Sequence, residues 1–201
     1  MAEKETDLKI MAERFSGGDE RAMEAVFKLF YFRLYYYAKG IVQHSAEAED
    51  IAMTALGKLW RRRKSYSTPA LIEGFLRLTV RNACINYLEH QQVKARKQDA
   101  VLRAAMPSDN YLENRYIQAE LAQLIYREME NLPDRCREVV KHYFIHERSH
   151  AEIARLMNIE EKTVRNQKAR AIELLRTALL RKSLLTLSGL AALLPALFKH
   201  L

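Results

Sequence analysis

Apolar side chains recur every three or four residues along most of the chain, which is the period of an amphipathic α-helix. The clearest apolar stripes run through residues 23–34, 51–60, 71–88 and 164–175. Few turn residues interrupt these stripes, because the 201 residues include only six glycines and four prolines. The pattern therefore predicts an all-α protein.

Short polar signals predict where several helices begin and end. Asp19 follows a glycine turn and Ser45 precedes an acidic turn, so each predicts the start of a helix. Ser149 and Glu152 have the spacing of a capping box, in which each residue bonds the backbone amide of the other. Asn158 stands where a tight turn between helices favours a left-handed residue.

The periodicity breaks in the middle of the chain, at Met106–Asn110, where proline, serine, aspartate and asparagine cluster. This break predicts two small helical domains joined by a linker, with a helix-turn-helix in the C-terminal domain. The expected boundaries are a first domain over 1–98, a linker over 99–117, a second domain over 118–182 and an apolar C-terminal tail over 183–201.

The residues after Ser149 have the pattern of a helix-turn-helix. A short helix at 151–157, with Leu156 among its inward residues, precedes a turn and a longer helix with Val164 and Leu174 on its buried side. In such proteins the second helix reaches base edges in the major groove, where arginine pairs with guanine and asparagine with adenine. The side chains expected to do so are Lys162, Thr163, Arg165, Asn166 and Arg170. An amphipathic helix hairpin with a solvated basic face would show the same pattern.

The charge of the chain favours a polyanionic partner. Its formal net charge is +8 and its sequence pI is about 9.5, which suits nucleic acid or an anionic membrane surface. The N-terminus is polar and lacks the apolar core of a secretion signal.

Motifs for metal binding and catalysis are not found in the sequence. Cys84 and Cys136 belong to no CxxC or Cys/His cluster, so the sequence indicates neither zinc nor a disulfide framework and fits a reduced, cytosolic chain. His142 and His146 share a helix face, but no third ligand accompanies them. Because nucleophile motifs and glycine-rich phosphate loops are also missing, we expect no enzyme, no metal and no cofactor.

Two sets of residues resemble the sigma-70 family of bacterial RNA polymerase sigma factors, and within it the extracytoplasmic-function (ECF) subfamily. Residues Leu132–Arg176, with Leu-Pro at the start and the triplets Glu-Ile-Ala and Thr-Val-Arg, resemble sigma domain four, which recognises the −35 promoter element. Ala48–Trp60 resembles the helix that docks on the polymerase clamp, and Phe75–Leu88 resembles the helix that recognises the −10 element. The two sets stand in the order and at the separation that the family has.

The resemblance implies a non-enzymatic transcription initiation factor. Such a factor binds core RNA polymerase, directs it to promoters by recognising the −35 and −10 elements, and aids DNA melting. The implied partners are the clamp and flap of core polymerase, promoter DNA and an anti-sigma factor. The implied location is the cytoplasm, with any membrane contact being indirect.

The resemblance also implies roles for individual residues of the first domain. The polymerase-binding residues would be Glu49, Asp50, Met53, Thr54, Lys58 and Trp60. The residues at the −10 element would be Arg61, Arg62, Arg63, Lys64, Tyr66, Arg81, Asn82 and Asn86. The last three are expected on roughly one helix face, and the loop 65–71 with the start of the next helix is expected to hold a flipped base. Tyr66 would equally suit a place in the core or the linker, and the basic run 61–64 would equally suit a solvated helix end.

The chain departs from the family pattern at two places. Met53 and Thr54 stand where the family usually has glutamine followed by an acidic residue. Asn166, Gln167 and Lys168 stand where Ser-Arg-Leu is common, so the −35 sequence does not follow from better-known members. Two other functions stay open on the sequence: a helix-turn-helix regulator that never binds polymerase, and a membrane-associated interaction protein that acts through the apolar residues 184–201.

Overall fold

The computed structural model describes residues 2–97 and 106–181 of the protein. Within these residues the regular structure is α-helical, apart from a short 3₁₀ helix at Arg63–Ser65, and the prediction of an all-α protein is confirmed. The α-helices are α1 (Ala2–Ser16), α2 (Glu20–Val42), α3 (Ser45–Arg61), α4 (Pro69–Lys97), α5 (Asp109–Met129), α6 (Asp134–Phe144), α7 (His150–Met157) and α8 (Glu161–Arg181).

Packing divides the chain into two compact units, Met1–Glu120 and Leu121–Leu201. The division falls within α5, so this helix contributes its first part to the first unit and its remainder to the second. Each unit has its own apolar core.

The division of the chain comes later in the structure than the sequence suggested. The predicted linker, 99–117, is helical from Asp109 onward, and Leu112 and Tyr116 are buried in the core of the first unit. These two residues are four apart, so they share one face of α5, and that face packs on the first unit. The predicted tail, 183–201, lies outside the described residues.

The core of the first unit is built around α2. Its buried side carries apolar residues at three- and four-residue spacing, among them Val26, Phe30, Leu34, Tyr37 and Ile41. Helices α3 and α4 pack against it, and α1 closes the remaining side. The stripe that the sequence predicted for α2 therefore faces the core.

The turn between α1 and α2 forms as the sequence predicts. The carboxylate of Asp19 accepts hydrogen bonds from the backbone amides of Arg21 and Ala22, at 2.8 and 3.2 Å. Arg14 donates to the same carboxylate at 2.6 Å, and this bond holds the pKa of Asp19 below its usual value. Gly18 has a φ of 92°, a conformation that strains any residue with a Cβ.

The start of α3 differs from the prediction by one residue. His44 is the cap, since its Nδ1 accepts a hydrogen bond from the backbone amide of Glu47 at 3.4 Å. Ser45 is instead the first residue of the helix itself. An imidazole nitrogen offers the same kind of acceptor as a hydroxyl, although the sequence patterns for caps favour serine.

The second unit contains the helix-turn-helix, with α8 packed on both α6 and α7. The contact with α6 is made by a cluster that includes Cys136, Val140, Ala171 and Leu175. A second cluster, formed by Val139, Ile153, Ala154 and Val164, joins α6, α7 and α8. Both signals that the sequence predicted for α7 are present: the Ser149–Glu152 capping box, and a left-handed Asn158 with φ 51° and ψ 52°.

Two leucines assigned to the interior lie at the surface instead. Leu156 of α7 is 57% exposed and Leu174 of α8 is 37% exposed. Leu156 follows Ala154 by two residues, which is about 200° around a helix, so burying Ala154 turns Leu156 outward. Leu174 lies at the edge of the stripe that buries Leu175.

Candidate nucleic-acid and polymerase interfaces

Helix α8 carries the predicted base-contacting side chains on the side away from the core. Its early turns expose Lys162, Arg165, Asn166 and Arg170, with Thr163 half-buried. Val164 is fully buried beneath them, and Glu161 forms an ion pair with Arg165 at 3.5 Å. This is the arrangement of a recognition helix, in which the N-terminal turns project toward a groove.

Two residues within the same stretch face the protein instead. Lys168 is only 6% exposed. The Sγ of Cys136 on α6 donates to Gln167 Oε1 at 3.0 Å. The segment 162–170 therefore divides into an outward side and an inward side.

An open cavity of about 540 Å³ lies between the C-terminal end of α3 and the middle of α4. Its lining residues are Lys58, Arg61, Arg62, Phe75, Thr79, Asn82, Ala83 and Asn86. Cations from α3 thus surround the same space as an aromatic ring and two amides from α4. These groups suit an unstacked nucleotide, because cations meet its phosphate, a ring stacks on its base and amides bond the base edge.

The cavity brings together Arg61, Arg62, Asn82 and Asn86, four of the residues predicted for the −10 element. It also contains Lys58, which was assigned to the polymerase. The other lining residues were not among the predicted site residues. The available signal was their spacing, since Phe75, Thr79 and Ala83 repeat every four residues along one side of α4.

The cavity does not include the loop 65–71, where a base pocket was expected, and a binding role for that loop stays a prediction. The cavity is lined by α3 and α4 rather than by the loop. Tyr66, the predicted stacking residue of that loop, packs its ring 4.7 Å from the ring of Phe75 and is half-buried against the core. Tyr66 therefore supports the aromatic wall of the cavity from behind.

The basic run 61–64 does not form one continuous patch. The guanidinium of Arg63 lies 4.5 Å from the ring centroid of Trp60 and donates to the Trp60 carbonyl at 3.2 Å. The carbonyl of Lys64 accepts from Ser16 at 3.4 Å, while its side chain is exposed. Arg63 is thus directed toward the fold, and the neighbouring arginines toward the cavity.

Arg81 does not share a face with Asn82 and Asn86, contrary to the prediction. It forms an ion pair with Asp109 at the start of α5, and Arg77, one turn earlier, forms an ion pair with Glu113. The two asparagines lie 100° and 140° around α4 from Arg81, which places them on the cavity side.

The outer face of α3 exposes most of the predicted polymerase-binding residues. Glu49, Asp50, Met53, Thr54 and Lys58 are all exposed along this one helix, and the side chain of Met53 is 47% exposed. Trp60 is different, because its ring packs edge-on against buried Phe15 at 5.6 Å. Trp60 therefore anchors the end of α3 on α1 and leaves the outer face to the other five.

A polar network missed by the sequence analysis joins α5 to the first unit. Arg33 of α2 donates to Glu73 at 2.6 Å and to Glu120 at 3.2 Å, while the Tyr116 hydroxyl donates to Glu73 at 3.0 Å. Burial raises the pKa of the Glu120 carboxyl. The guanidinium of Arg115 also donates to the carbonyl of Gly40, at 2.7 Å. None of these contacts had a sequence signal, since the partners are 40 or more residues apart.

Within the described ranges 2–97 and 106–181, no group of three or more His, Cys, Asp or Glu side chains is placed to hold a metal ion. Across the same residues, the helices lack the combination of length and apolar character needed to cross a bilayer.

Each of the two units matches a known protein-family model. Residues 26–93 match the family model for sigma-70 region 2, and residues 122–175 match the model for sigma-70 region 4. Together the two matches span more than half of the chain. The chain belongs to the sigma-70 family. The α3–α4 cavity lies within the region 2 match and the recognition helix within the region 4 match.

Individual relatives agree with this assignment. The chain is 27% identical over 184 residues to the ECF RNA polymerase sigma-E factor of Escherichia coli K12, covering 86% of this chain and 94% of the relative. The sigma-E factor of Salmonella typhimurium LT2 matches with the same identity and coverage. A probable RNA polymerase sigma factor, RfaY, of Xanthomonas campestris is 28% identical over 149 residues, covering 72% of this chain but only 37% of that protein.

The chain is therefore a sigma factor of the ECF group, a transcription initiation factor that recognises promoters. Membership of the family also implies binding to core RNA polymerase and to promoter DNA.

Proposed function

We propose that this sigma factor holds an unstacked nucleotide of the −10 element in the cavity between α3 and α4. The composition of the cavity is the observation that carries this proposal. Lys58, Arg61 and Arg62 supply positive charge, Phe75 supplies a stacking face, and Asn82 and Asn86 supply amides. Melting without ATP needs contacts that replace base stacking, and a base–aromatic stack contributes about 1–3 kcal/mol.

Recognition of the −35 element would then be carried out by α8. The exposed Arg165 and Arg170 suit guanine or phosphate oxygens, and Asn166 suits the edge of adenine. Lys162 and Thr163, at the start of the helix, suit phosphate contacts that fix its position on the duplex. The support for this role is the outward placement of these side chains on a capped helix-turn-helix.

Core polymerase binding is assigned to the outer face of α3, with the clamp as its partner. The acidic pair Glu49 and Asp50 would meet basic groups there, and exposed Met53 would supply apolar contact. We also propose that the second unit meets the polymerase flap and that an anti-sigma factor regulates the chain. This sigma factor would act in the cytoplasm, and any contact with a membrane would be indirect.

The cavity proposal is tested by transcription with bacterial core polymerase and a template that carries the DNA upstream of this chain's own gene. Asn82→Ala with Asn86→Ala should lower initiation about tenfold or more, since each good base-edge contact contributes about 1–3 kcal/mol. Core binding should be unchanged, because neither asparagine lies on the outer face of α3. A template melted beforehand at the −10 element should restore much of the lost activity, since it removes the cost of unstacking.

The matched control is Asn114→Ala, an exposed asparagine of α5 away from the cavity, which should initiate like the wild type. Equal losses on duplex and melted templates would contradict a role in capturing the unstacked strand. Duplex binding by the wild type without any association with core polymerase would overturn the whole assignment and leave a simple helix-turn-helix regulator.

A further inference from the structure

One lysine of the recognition helix α8, Lys168, is buried against the rest of the second unit. Lys168 is only 6% exposed, although lysine is almost never buried without a partner for its charge. The other buried residues of this helix include Val164, Ala171 and Leu175, so the chain has placed a cation where an apolar side chain would be expected. In contrast, Lys162, Arg165 and Arg170 of the same helix are exposed, so the burial of Lys168 needs a separate explanation.

The partner of Lys168 is an aromatic ring. Its Nζ lies 4.1 Å from the ring centroid of Tyr143 on α6, which is a close cation–π contact. The same ring stacks against the imidazole of His150, with centroids 5.2 Å apart and planes 15° apart. Tyr143 is thus fixed by α7 and in turn receives a side chain from α8, so one ring connects all three helices.

A second lysine of this unit shows what an ordinary contact looks like. Lys141 lies 5.7 Å from the ring of Tyr126, but its side chain is 30% exposed and forms an ion pair with Glu130 at 2.6 Å. Lys168 is closer to its ring and more deeply buried. The comparison makes Lys141 a suitable control for any effect of removing a lysine near a tyrosine.

The residue before Lys168 adds a second directional contact. Gln167 Oε1 accepts from Cys136 Sγ at 3.0 Å, so two successive residues of α8 are fixed to α6 by groups that require a defined orientation. Apolar contacts such as those of Val164 and Ala171 fix the depth of a helix but resist rotation about its axis less. Base contacts need side chains held within about 10–20° of the productive geometry.

We propose that Lys168, held over the ring of Tyr143, is a positioning residue that fixes the rotation of α8 and thereby the base preference at the −35 element. It acts through Arg165, Asn166 and Arg170 and does not itself touch DNA. The inference rests on the proposed role of α8 in −35 recognition. It also predicts that an apolar side chain of similar volume at position 168 will not lower the stability of the second unit, because the cost of burying the charge is removed.

The test uses the full chain in complex with bacterial core polymerase and a duplex library randomised at the −35 element. Lys168→Met should keep the thermal midpoint of the wild type or raise it. Its affinity for duplexes selected by the wild type should nevertheless fall about tenfold, the effect of losing one good base contact. Its own selected duplexes should differ in base preference. Lys168→Arg, which keeps a cation over the ring, should lose less affinity than Lys168→Met.

Three further measurements decide between positioning and other roles. The slope of log affinity against log salt should be the same for Lys168→Met and the wild type, whereas loss of a phosphate contact would reduce it by about one. Tyr143→Leu should change base preference as Lys168→Met does, and should add little in the Lys168→Met background. Lys141→Met should behave like the wild type in every assay.

The results of these measurements separate a positioning role of Lys168 from packing and from direct DNA contact. An unchanged base preference and affinity in Lys168→Met would overturn the proposal and leave Lys168 as packing alone. A reduced salt slope would overturn it in favour of direct phosphate contact. If Lys168→Met fails to fold, Tyr143→Leu carries the same test with the lysine retained. A wild-type complex that selects no duplex would refute the −35 role of α8 itself, which is a different failure.

Discussion

His150, the first residue of α7, lies in a half-buried position next to positive charge. Its ring stacks on Tyr143, and the groups of α8 that act on it are Lys168, Arg165 and the opposing carboxylate of Glu161. Burial, followed by the two cations, lowers the pKa of His150 below its usual 6.5. His142 of α6 has its pKa lowered in the same direction, by burial and then by Arg148. The folded second unit therefore resists protonation of both rings.

Because the folded state disfavours protonated His142 and His150, acid destabilises the second unit. The unfolded chain takes up these protons near pH 6.5, whereas the folded unit takes them up only at lower pH, so the free energy of unfolding falls as pH drops below about 6.5. Hydrogen exchange of α7 and α8, corrected for the intrinsic rate, should show protection that is steady above pH 7 and declines toward pH 5. His150→Gln should decline less steeply, because one of the two protonation sites is gone.

The matched control for the acid effect is His90→Gln, since His90 is an exposed histidine of α4 in the first unit. It should leave the pH dependence of α7 and α8 unchanged. An equally steep decline in His150→Gln would show that His150 is not a source of the acid sensitivity.

At the scale of elements, the first part of α5 belongs to the fold of the first unit although it lies outside both family matches. Tyr116 is 3% exposed, its ring packs edge-on against Tyr37 at 5.4 Å, and the guanidinium of Arg77 lies 4.6 Å from its centroid. The same core contains Cys84, a free thiol whose pKa burial raises to about 12. This part of α5 therefore closes the core over groups that would otherwise meet water.

Tyr116→Ala in the full chain should destabilise the first unit by about 3 kcal/mol, the usual cost of deleting a buried aromatic ring. Trp60 is the single tryptophan and lies in the first unit, so its fluorescence during urea unfolding reports this change. Labelling of Cys84 by a thiol reagent, located by mass spectrometry, should become faster because opening of the core becomes more frequent.

The control on the same helix is Tyr111→Ala, since the ring of Tyr111 is 41% exposed and its hydroxyl donates one hydrogen bond to the carbonyl of Gly40. Its cost should stay below about 1.5 kcal/mol. Equal costs at the two positions would mean that the first part of α5 rests on the surface rather than in the core.

The elements show why sequence predicts some features and not others. Asp19, Ser149 and Asn158 were predicted correctly because a cap or a left-handed turn depends on residues within one helical turn of each other. The burial of Lys168 and the ion pair of Arg81 depend on helices that meet only in the folded chain, and periodicity carries no information on the partner. Periodicity also marks a stripe more broadly than the contact it makes, which is why Leu156 was wrongly assigned to the interior.

The candidate site shows the same difference between features set by local sequence and features set by helix packing. The exposed residues of α8 were predicted because their positions follow from the helical period and the buried Val164. For the cavity, the sequence supplied Arg61, Arg62 and both asparagines but not Phe75, since only the packing of α3 beside α4 shows which face of α4 lines it. The roles of all these residues in binding stay predictions.

For the whole molecule, the cations proposed to meet DNA form two groups, one in each unit. The formal charge of the chain is +8, and the cations proposed to meet DNA are Lys58, Arg61 and Arg62 at the cavity and the exposed cations of α8. Several other cations are engaged by carboxylates of the same unit, among them Arg33 and Arg77. Promoter affinity should therefore depend on few side chains out of the 33 lysines and arginines.

This distribution predicts how salt acts on the complex of the chain, core polymerase and promoter. Each phosphate contact contributes about 0.9 to the slope of log affinity against log salt for duplex DNA and about 0.7 for single strands. Arg61→Gln with Arg62→Gln should therefore lower the slope by about 1.4, and Lys162→Gln with Arg170→Gln by up to about 1.8. Because the two pairs lie in different units, the four changes together should lower it by the sum. Lys28→Gln, which removes an exposed lysine paired with Glu24, should leave the slope unchanged. A combined loss no larger than that of one pair would mean that the two units do not hold DNA at the same time, and would confine promoter contact to the unit whose pair accounts for the loss.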